Sequence, residues 1–358
     1  MKILHLYPKS DDMITRHVAI LMEGMSNSAE VKAVNSLSEF KACFRQMQPD
    51  IVHCHSCWQY TMGNAASIAR RHGARIVISP HGQLEPWVFE EKPVREKIHK
   101  TLMWQKRYVS GAYAVIAFGK MEHSLLQKLK WNSRIEIIRN SLITNSISPQ
   151  QMCSQTFAVY QKVLDSNTLE LMDETTKRYL SLILKTSITG DRRWIQNEGI
   201  PSVEPNWRQL LIYADHQNIR NYVDYGMSIL QIPQPALDTT KITAYFPEHY
   251  KRPQPIREII GEYNGKETDY MVRIIAQLSK RPVLLHLIEL ACELHRDNVN
   301  DDELQEVLQE KSLWKDAARL MQVLSELTLL EEGYMPLPPL DDRGTRQIRT
   351  QITTHLKL

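Results

Sequence analysis

The chain has 358 residues, enough for two or three domains, and its 42% apolar and 24% charged residues are typical of a soluble globular protein. Its formal net charge of +3 is too small to indicate nucleic acid or a membrane by itself. The five cysteines are sparse, the apolar run at residues 3–7 is too short for a signal peptide, and no later segment approaches a membrane span, so we expect a cytoplasmic protein.

The first 148 residues alternate between β-branched apolar runs and segments with helical periodicity. Predicted strands cover 2–7, 30–34, 51–55, 75–79, 112–117 and 135–139, and predicted helices cover 16–25, 38–47, 63–72, 92–110 and 121–129. Such alternation is typical of a Rossmann-like parallel sheet with helices on both faces. We therefore predict an α/β domain over residues 1–148.

The alternation stops near Pro149, and the remaining chain is predicted to be mostly helical. We divide it into a helical middle region with a Pro-rich linker, 149–265, and a helical region, 266–358. One helix is expected at 207–221. In the last region, helices at 283–297, 301–309 and 313–327 precede an apolar, hairpin-like stretch, an order that resembles a winged helix. Acidic residues outnumber basic ones there, so we expect protein interaction or plain packing and no nucleic acid.

The segment IVISPHGQLEPW at 76–87 is a buried strand that ends at a turn. Ligands of α/β sheets bind at the carboxyl ends of strands, where His81 lies. A neutral imidazole there can hydrogen-bond a sugar or phosphate oxygen, or act as an acid or base. The competing interpretation is a loop histidine that caps the next helix. Gly82 permits a turn that other residues resist.

A second cluster, PDIVHCHSCW, ends the third predicted strand. Cys54 and Cys57 with His53 and His55 are ligand types for zinc, but neighbours on a strand alternate sides and cannot easily converge. A redox dithiol needs a helix N-terminus at Cys54, which is inside the strand instead. We predict no metal site, with Cys54 in the core and His55 at the cleft.

Together these strings resemble the N-terminal domain of family 4 glycosyltransferases of the GT-B type. The matching segments are MKILHLYP, PDIVHCHSCW, IVISPHGQLEPW, the stretch 94–129 and IEIIRNSLI, over roughly residues 1–145. The resemblance implies that His81 approaches the donor sugar or the reacting groups, that Gly82 permits this approach, and that His55 lines the acceptor side. It also implies that Glu85 and Trp87 shape the cleft wall and that Asn140 marks the crossing to a second domain.

The chain also departs from that family. Lys9-Ser10-Asp11-Asp12 replaces the Gly-Gly loop after the first strand. Residues 150–358 lack the G-R-L-x-x-x-K-G segment and the paired glutamates that hold the donor diphosphate in the family's second Rossmann-like domain. A second parallel sheet at 200–340 would support an enzyme, whereas a helical bundle would not.

Two hypotheses follow from the sequence. The first is a hexosyltransferase that moves a sugar from a nucleotide-sugar substrate to a polysaccharide or lipid-linked acceptor, without a cofactor. The second is a catalytically inactive relative that serves as a sugar-binding or protein-interaction module. Basic residues on the predicted helix 92–110 indicate either a solvated face or contact with anionic lipid. In the second case the chain would associate peripherally with the inner membrane surface.

Overall fold

The computed structural model describes residues 1–9, 11–85, 104–166, 169–193, 199–261, 266–296 and 298–358. These residues form two compact units. Unit 1 comprises Met1–Ser166 with Thr243–Tyr245, and unit 2 comprises Asn167–Ile242 with Phe246–Leu358. Trp87 and most of the predicted helix 92–110 lie outside the described residues.

Unit 1 is built on one parallel sheet with the strand order β2-β1-β3-β4-β5-β6. All five strand pairings are parallel, as predicted. The strands are β1 Lys2–Leu6, β2 Glu30–Val34, β3 Ile51–Cys54, β4 Arg75–Ile78, β5 Ala114–Ala117 and β6 Ile135–Ile137. Residues of β3, β4 and β5 are buried throughout because helices cover both faces of the sheet.

The helices of unit 1 connect the strands and follow the last one. They are α1 Asp12–Met25, α2 Leu37–Met47, α3 Tyr60–Arg71, α4 Lys106–Ser110, α5 Lys120–Leu129 and α6 Pro149–Asp165. Helix α1 begins four residues earlier than predicted, because the Asp11 carboxylate caps it by accepting a hydrogen bond from the Ile14 backbone N–H.

The two faces of the sheet are covered by different helices. Alternate strand residues such as Leu4, Val52 and Ile76 share a core cluster with side chains of α2, α3, α4 and α5. Helix α6 packs against α1 and β4 on the other face. The strand side chains of that second face include His5 and His53, which are direct partners in the β1–β3 register.

The direction in which strands are added reverses at β1, which has β2 on one side and β3 on the other. In open parallel sheets, the crevice at the carboxyl ends of two such strands is the usual ligand site. The β1–β3 pair therefore marks the place in unit 1 where a site is expected.

Unit 2 is helical, and none of its described residues forms a strand. Its helices are α7 Glu174–Thr189, α8 Trp207–His216, α9 Arg220–Leu230, α10 Ile256–Ile260, α11 Glu267–Lys280, α12 Leu284–His295, α13 Asp301–Glu310, α14 Trp314–Leu327 and α15 Arg343–Thr353. Leucine, isoleucine and other apolar side chains from these helices form a single buried cluster.

The structure divides the chain differently from the predicted boundaries. Helix α6, predicted to begin the middle region, is part of unit 1 because it covers the sheet. The predicted middle and last regions are not separated in the described residues, since side chains from both, such as Leu211 and Leu287, lie in the same core cluster.

Two local predictions in unit 2 are wrong. The helix expected at 207–221 is broken, because Asn218 adopts a left-handed backbone conformation with φ of 57° between α8 and α9. The wing is absent as well. Residues 328–342 are all described and contain a 3-10 turn at Glu332–Tyr334 but no strand. Three prolines in this stretch lack the backbone N–H that a hairpin ladder uses.

Candidate functional site

Five histidines converge where β1, β3 and β4 end. His5 belongs to β1 and His53 to β3, His55 and His81 follow β3 and β4, and His17 comes from α1. Four of these side chains are at most 2% exposed, and His81 is only partly buried. This histidine cluster lies at the carboxyl edge of the sheet, next to the position where the strand order reverses.

Three of the rings form a continuous chain of hydrogen bonds. His81 Nε2 lies 3.0 Å from His55 Nδ1, and His55 Nε2 lies 2.8 Å from His5 Nδ1. A neutral imidazole has one donor and one acceptor nitrogen, so both bonds must run in the same direction along the chain. His5 Nε2, at the inner end, is buried and has no partner among the described residues.

His53 is held from both sides. Its Nδ1 lies 2.5 Å from the hydroxyl of Tyr160 on α6, and its Nε2 lies 2.8 Å from Ser79 Oγ at the end of β4. With both nitrogens engaged, His53 joins α6 to β3 and the end of β4. Its ring centroid is 3.9 Å from that of His55, so His53 also supports His55 sterically.

His17 is the histidine contributed by a helix. It is 2% exposed, on the same apolar stripe of α1 as Ile14, Val18 and Leu21. Its Nδ1 lies 3.3 Å from Asn140 Oδ1, which also accepts a bond from the Leu142 backbone N–H at 3.0 Å. Asn140 thus faces the histidine cluster. Its Nδ2 is buried and without a partner among the described residues.

Burial lowers the pKa of every histidine in the cluster. The pKa falls to about 3 for His5 and to about 4 for His17, and those of His53, His55 and His81 lie well below the usual value. Desolvation is the largest cause throughout, since a cationic ring loses its hydration when buried. All five rings are therefore neutral near pH 7 and provide hydrogen-bonding nitrogens with no net charge.

The turn after β4 places His81 in a strained backbone conformation. His81 has φ of 55° and Gly82 has φ of 78°, so two successive residues are left-handed. The His81 ring packs edge-on against Phe118 at 4.6 Å and against His17 at 5.0 Å. These ring contacts and the bond to His55 hold a conformation that costs a non-glycine residue about 1–2 kcal/mol.

Glycine and alanine at position 81 are expected to differ in stability, although both remove the imidazole. His81→Gly should be more stable than His81→Ala by about 1 kcal/mol, because only alanine retains the left-handed strain. Urea unfolding of the two variants in parallel measures the difference. Equal stability, or a more stable alanine variant, would show that the backbone at residue 81 is not left-handed in solution.

Gln83 ties the loops after β3 and β4 together. Its Oε1 accepts bonds from the Cys57 backbone N–H at 2.7 Å and from Ser56 Oγ at 3.1 Å, and its carbonyl oxygen accepts from Trp58 Nε1 at 3.2 Å. The predictions did not single out Gln83. It fixes the position of the loop that presents His81.

Glu122, at the start of α5, holds the same loop through hydrogen bonds to backbone N–H groups. It is fully buried and accepts bonds from the backbone N–H groups of Leu84 at 3.4 Å and Phe118 at 3.2 Å. Burial raises the pKa of Glu122 to about 7, against the opposing effect of these backbone donors. The carboxyl group can thus take up or release a proton near neutral pH.

We expect Glu122 to make the folded chain less stable as pH rises. The folded-state pKa of about 7 exceeds the reference value of 4.5, so between these pH values the folded chain holds a proton that the unfolded chain releases. The resulting loss of stability is at most about 3 kcal/mol across the window. Glu122→Gln should flatten this part of the pH profile in urea unfolding, and the exposed Glu30→Gln should not. Identical slopes in all three proteins would contradict the prediction.

Residues 18–141 match the family model described as a glycosyl transferase 4-like domain. The matched segment lies within unit 1. The match covers β2 to β6, and with them His53, His55 and His81. A comparison of the whole chain with curated proteins gives no significant match.

The structure brings most of the predicted site residues together. Gly82 follows His81 directly, and the Glu85 carboxylate lies 3.7–3.9 Å from the position of a Cβ on Gly82. Asn140 contacts His17. His55, expected to line the acceptor side, is 0% exposed, and its Nδ1 lies 3.0 Å from His81 Nε2. Trp87 lies outside the described residues.

The predictions missed His5 and His17 of the cluster, and also Tyr160, which contacts His53. His5 leaves a signal of its own, a polar residue inside an otherwise apolar predicted strand, but that pattern does not place it beside His53. His17 leaves a weaker signal, as a polar residue on the apolar face of α1. Nothing in the sequence connects Tyr160 with His53. Cys54, predicted to lie in the core, is fully buried, and burial raises the pKa of its thiol to about 12.

Unit 2 has a cavity of its own, of about 520 Å³. Its lining is apolar, with charged groups from α7 and α14; it includes Leu169, Leu180, Leu184, Leu284, Lys177 and Glu326. Among the described residues, no helix combines the length and apolar character needed to cross a bilayer.

Proposed function

We propose that this chain is a hexosyltransferase that transfers a sugar from a nucleotide sugar to a polysaccharide or lipid-linked acceptor. The proposal places the reaction in the cytoplasm or at the inner membrane surface. Its support is the glycosyl transferase 4-like domain together with the histidine cluster at the expected ligand edge of the sheet.

The position of His81 carries the proposal. His81 Nε2 is engaged by His55, which leaves Nδ1 as the nitrogen for a ligand. His81 is also the only cluster member that is partly exposed. The rigid rings behind it fix the direction of that nitrogen, so a bound sugar meets a preorganised hydrogen-bonding group.

The low pKa of His81 favours a hydrogen bond over proton abstraction as its role. A ring whose pKa is held well below 6.5 by burial is a weak base near pH 7. A neutral imidazole can still donate to, or accept from, a sugar hydroxyl or a phosphate oxygen. In this proposal His81 orients the sugar, and Asn140 Nδ2 is a second donor in the same cluster.

The fold of unit 2 supports a second candidate function. The described residues of 200–340 form helices and loops but no strand, whereas the resemblance implied a second Rossmann-like domain that holds the donor diphosphate. This observation favours a catalytically inactive relative that binds a sugar through unit 1 and acts as a sugar-binding or protein-interaction module.

Calorimetric titration with a panel of UDP- and GDP-sugars tests the first function. We expect at least one nucleotide sugar to bind, and His81→Gly to weaken its affinity about tenfold, the value of one hydrogen bond of about 1.4 kcal/mol. His72→Ala, which removes an exposed histidine of the same unit, should bind as the wild type does. Use of the glycine variant avoids the added backbone strain of alanine.

The same titration separates the two candidates. Binding of free oligosaccharides without binding of any nucleotide sugar would overturn the transferase proposal and support the sugar-binding module. No binding of either class would overturn both sugar functions.

A further inference from the structure

We propose that His17, His55 and His81 form a binding site for a divalent transition metal, with Zn²⁺ as the metal that their chemistry fits best. The proposal does not depend on sugar binding or transfer. It revises the expectation from the sequence that the chain has no metal site, since that expectation considered ligands from one strand only.

The spacing of the nitrogens fits coordination of one ion. His17, His55 and His81 each offer one ring nitrogen, and these atoms lie within 4.8 Å of one another. His55 Nδ1 and His81 Nε2 are 3.0 Å apart. Two nitrogens that each bind Zn²⁺ at 2.0–2.1 Å with a tetrahedral angle are separated by about 3.3 Å, so this pair needs only a small movement.

The hydrogen bonds around the cluster are compatible with the tautomers that a metal requires. A ligating histidine usually donates its other ring N–H to a nearby acceptor, which turns its lone pair toward the ion. His17 Nδ1 faces Asn140 Oδ1, a pure acceptor, so Nδ1 carries the proton and Nε2 is left for the metal. His55 Nε2 lies beside His5 Nδ1. If His5 Nδ1 accepts a hydrogen bond from His55 Nε2–H, the lone pair of His55 Nδ1 is left for the metal.

Protonation does not compete with the metal at this site. Metal ligation requires neutral imidazole, and burial keeps all three rings neutral near pH 7. Imidazole nitrogens suit zinc, copper, iron and nickel rather than calcium or magnesium. Three histidines leave a fourth position on Zn²⁺ for water or another oxygen ligand.

A second histidine triple is a poorer site. His5, His53 and His55 also lie within 4.8 Å of one another, but all three are fully buried. Both nitrogens of His53 are already engaged, by Tyr160 and Ser79. An ion there would displace one of these two bonds of His53. The first triple replaces only the contact between His55 and His81, and it includes the partly exposed His81 as a route of entry.

Metal binding to untagged, chelator-treated full-length protein tests the proposal. We expect calorimetry to give one Zn²⁺ per chain for the wild type and for His72→Ala. His17→Ala should bind more than 100-fold more weakly. Asn140→Ala, which removes only the positioning acceptor, should bind about 10–100-fold more weakly. Thermal unfolding without metal establishes that each variant folds.

Zinc-edge X-ray absorption identifies the zinc ligands in the wild-type protein, so it tests the proposal even if a variant fails to fold. The expected spectrum contains three imidazole nitrogens at about 2.0–2.1 Å. Fewer than three imidazoles, no stoichiometric binding by the wild type, or equal affinity in folded His17→Ala would each overturn the proposal. Sugar titrations of metal-free protein remain a separate measurement, so failure here and failure of the proposed function can be told apart.

Discussion

His53→Ala is expected to lower the free energy of unfolding of unit 1 by about 3–5 kcal/mol, the loss typical of deleting a buried ring. His53 is 0% exposed in the middle of the sheet. Its removal leaves a cavity between β3 and α6. The hydroxyl groups of Tyr160 and Ser79 also lose the ring nitrogens to which they are hydrogen-bonded. A buried hydroxyl that loses its partner adds a desolvation cost to that of the cavity.

Hydrogen exchange followed by mass spectrometry measures this loss within unit 1. Peptides covering β3 and β4 should exchange faster in His53→Ala, and His72→Ala should match the wild type. Tyr160→Phe provides a matched test of the hydrogen bond. It should cost about 1–3 kcal/mol in the wild type and clearly less in the His53→Ala background, since the partner is already absent. Additive losses would contradict the bond between these two side chains.

Gly226→Ala is expected to destabilise unit 2 by about 3 kcal/mol or more, at the upper end of the cost of overpacking. A Cβ on Gly226 would lie 2.2 Å from the backbone carbonyl oxygen of Ile183 and 2.9 Å from its Cγ2. The obstructing atom belongs to the backbone of α7, which cannot rotate away as a flexible side chain can. Helices α7 and α9 would have to separate, with a loss of packing around Ile183.

Gly333→Ala is the control for this substitution. A Cβ on Gly333 would meet no atom within 4 Å, so the same chemical change should have little effect on stability. Amide hydrogens of peptides from α7 and α9 should exchange faster in Gly226→Ala than in the wild type. In Gly333→Ala they should exchange at the wild-type rate. Unchanged protection in Gly226→Ala would contradict the close approach of these two helices.

The sheet of unit 1 was predictable because apolar runs and helix-capping residues indicate the same alternation of strands and helices along the sequence. Buried strands read as apolar runs, and caps such as Ser36 mark where helices begin. The break at Asn218 has no comparable signal, since the helical periodicity continues through buried Ile219. The left-handed backbone conformation of Asn218 therefore ends α8, although the periodicity of the apolar residues favours one continuous helix.

The site was predictable only where neighbouring residues in the sequence contribute to it. His81 and Gly82 follow a strand directly, so their position at the edge of the sheet follows from the strand itself. The cluster behind them depends on the register that places His5 beside His53 and on the face of α1 that carries His17. These are tertiary facts, and one sequence does not specify which strands are neighbours.

The most direct test of the account is to observe the histidine rings while a nucleotide sugar binds. Two-dimensional NMR of ¹⁵N-histidine-labelled protein resolves ring signals, and the His81→Gly variant assigns the signal of His81. We predict that a nucleotide sugar bound to saturation shifts the His81 ring signal and leaves that of exposed His72 unchanged. Saturation by a nucleotide sugar with no change in any of the five cluster histidines would contradict the claim that this cluster is the sugar site.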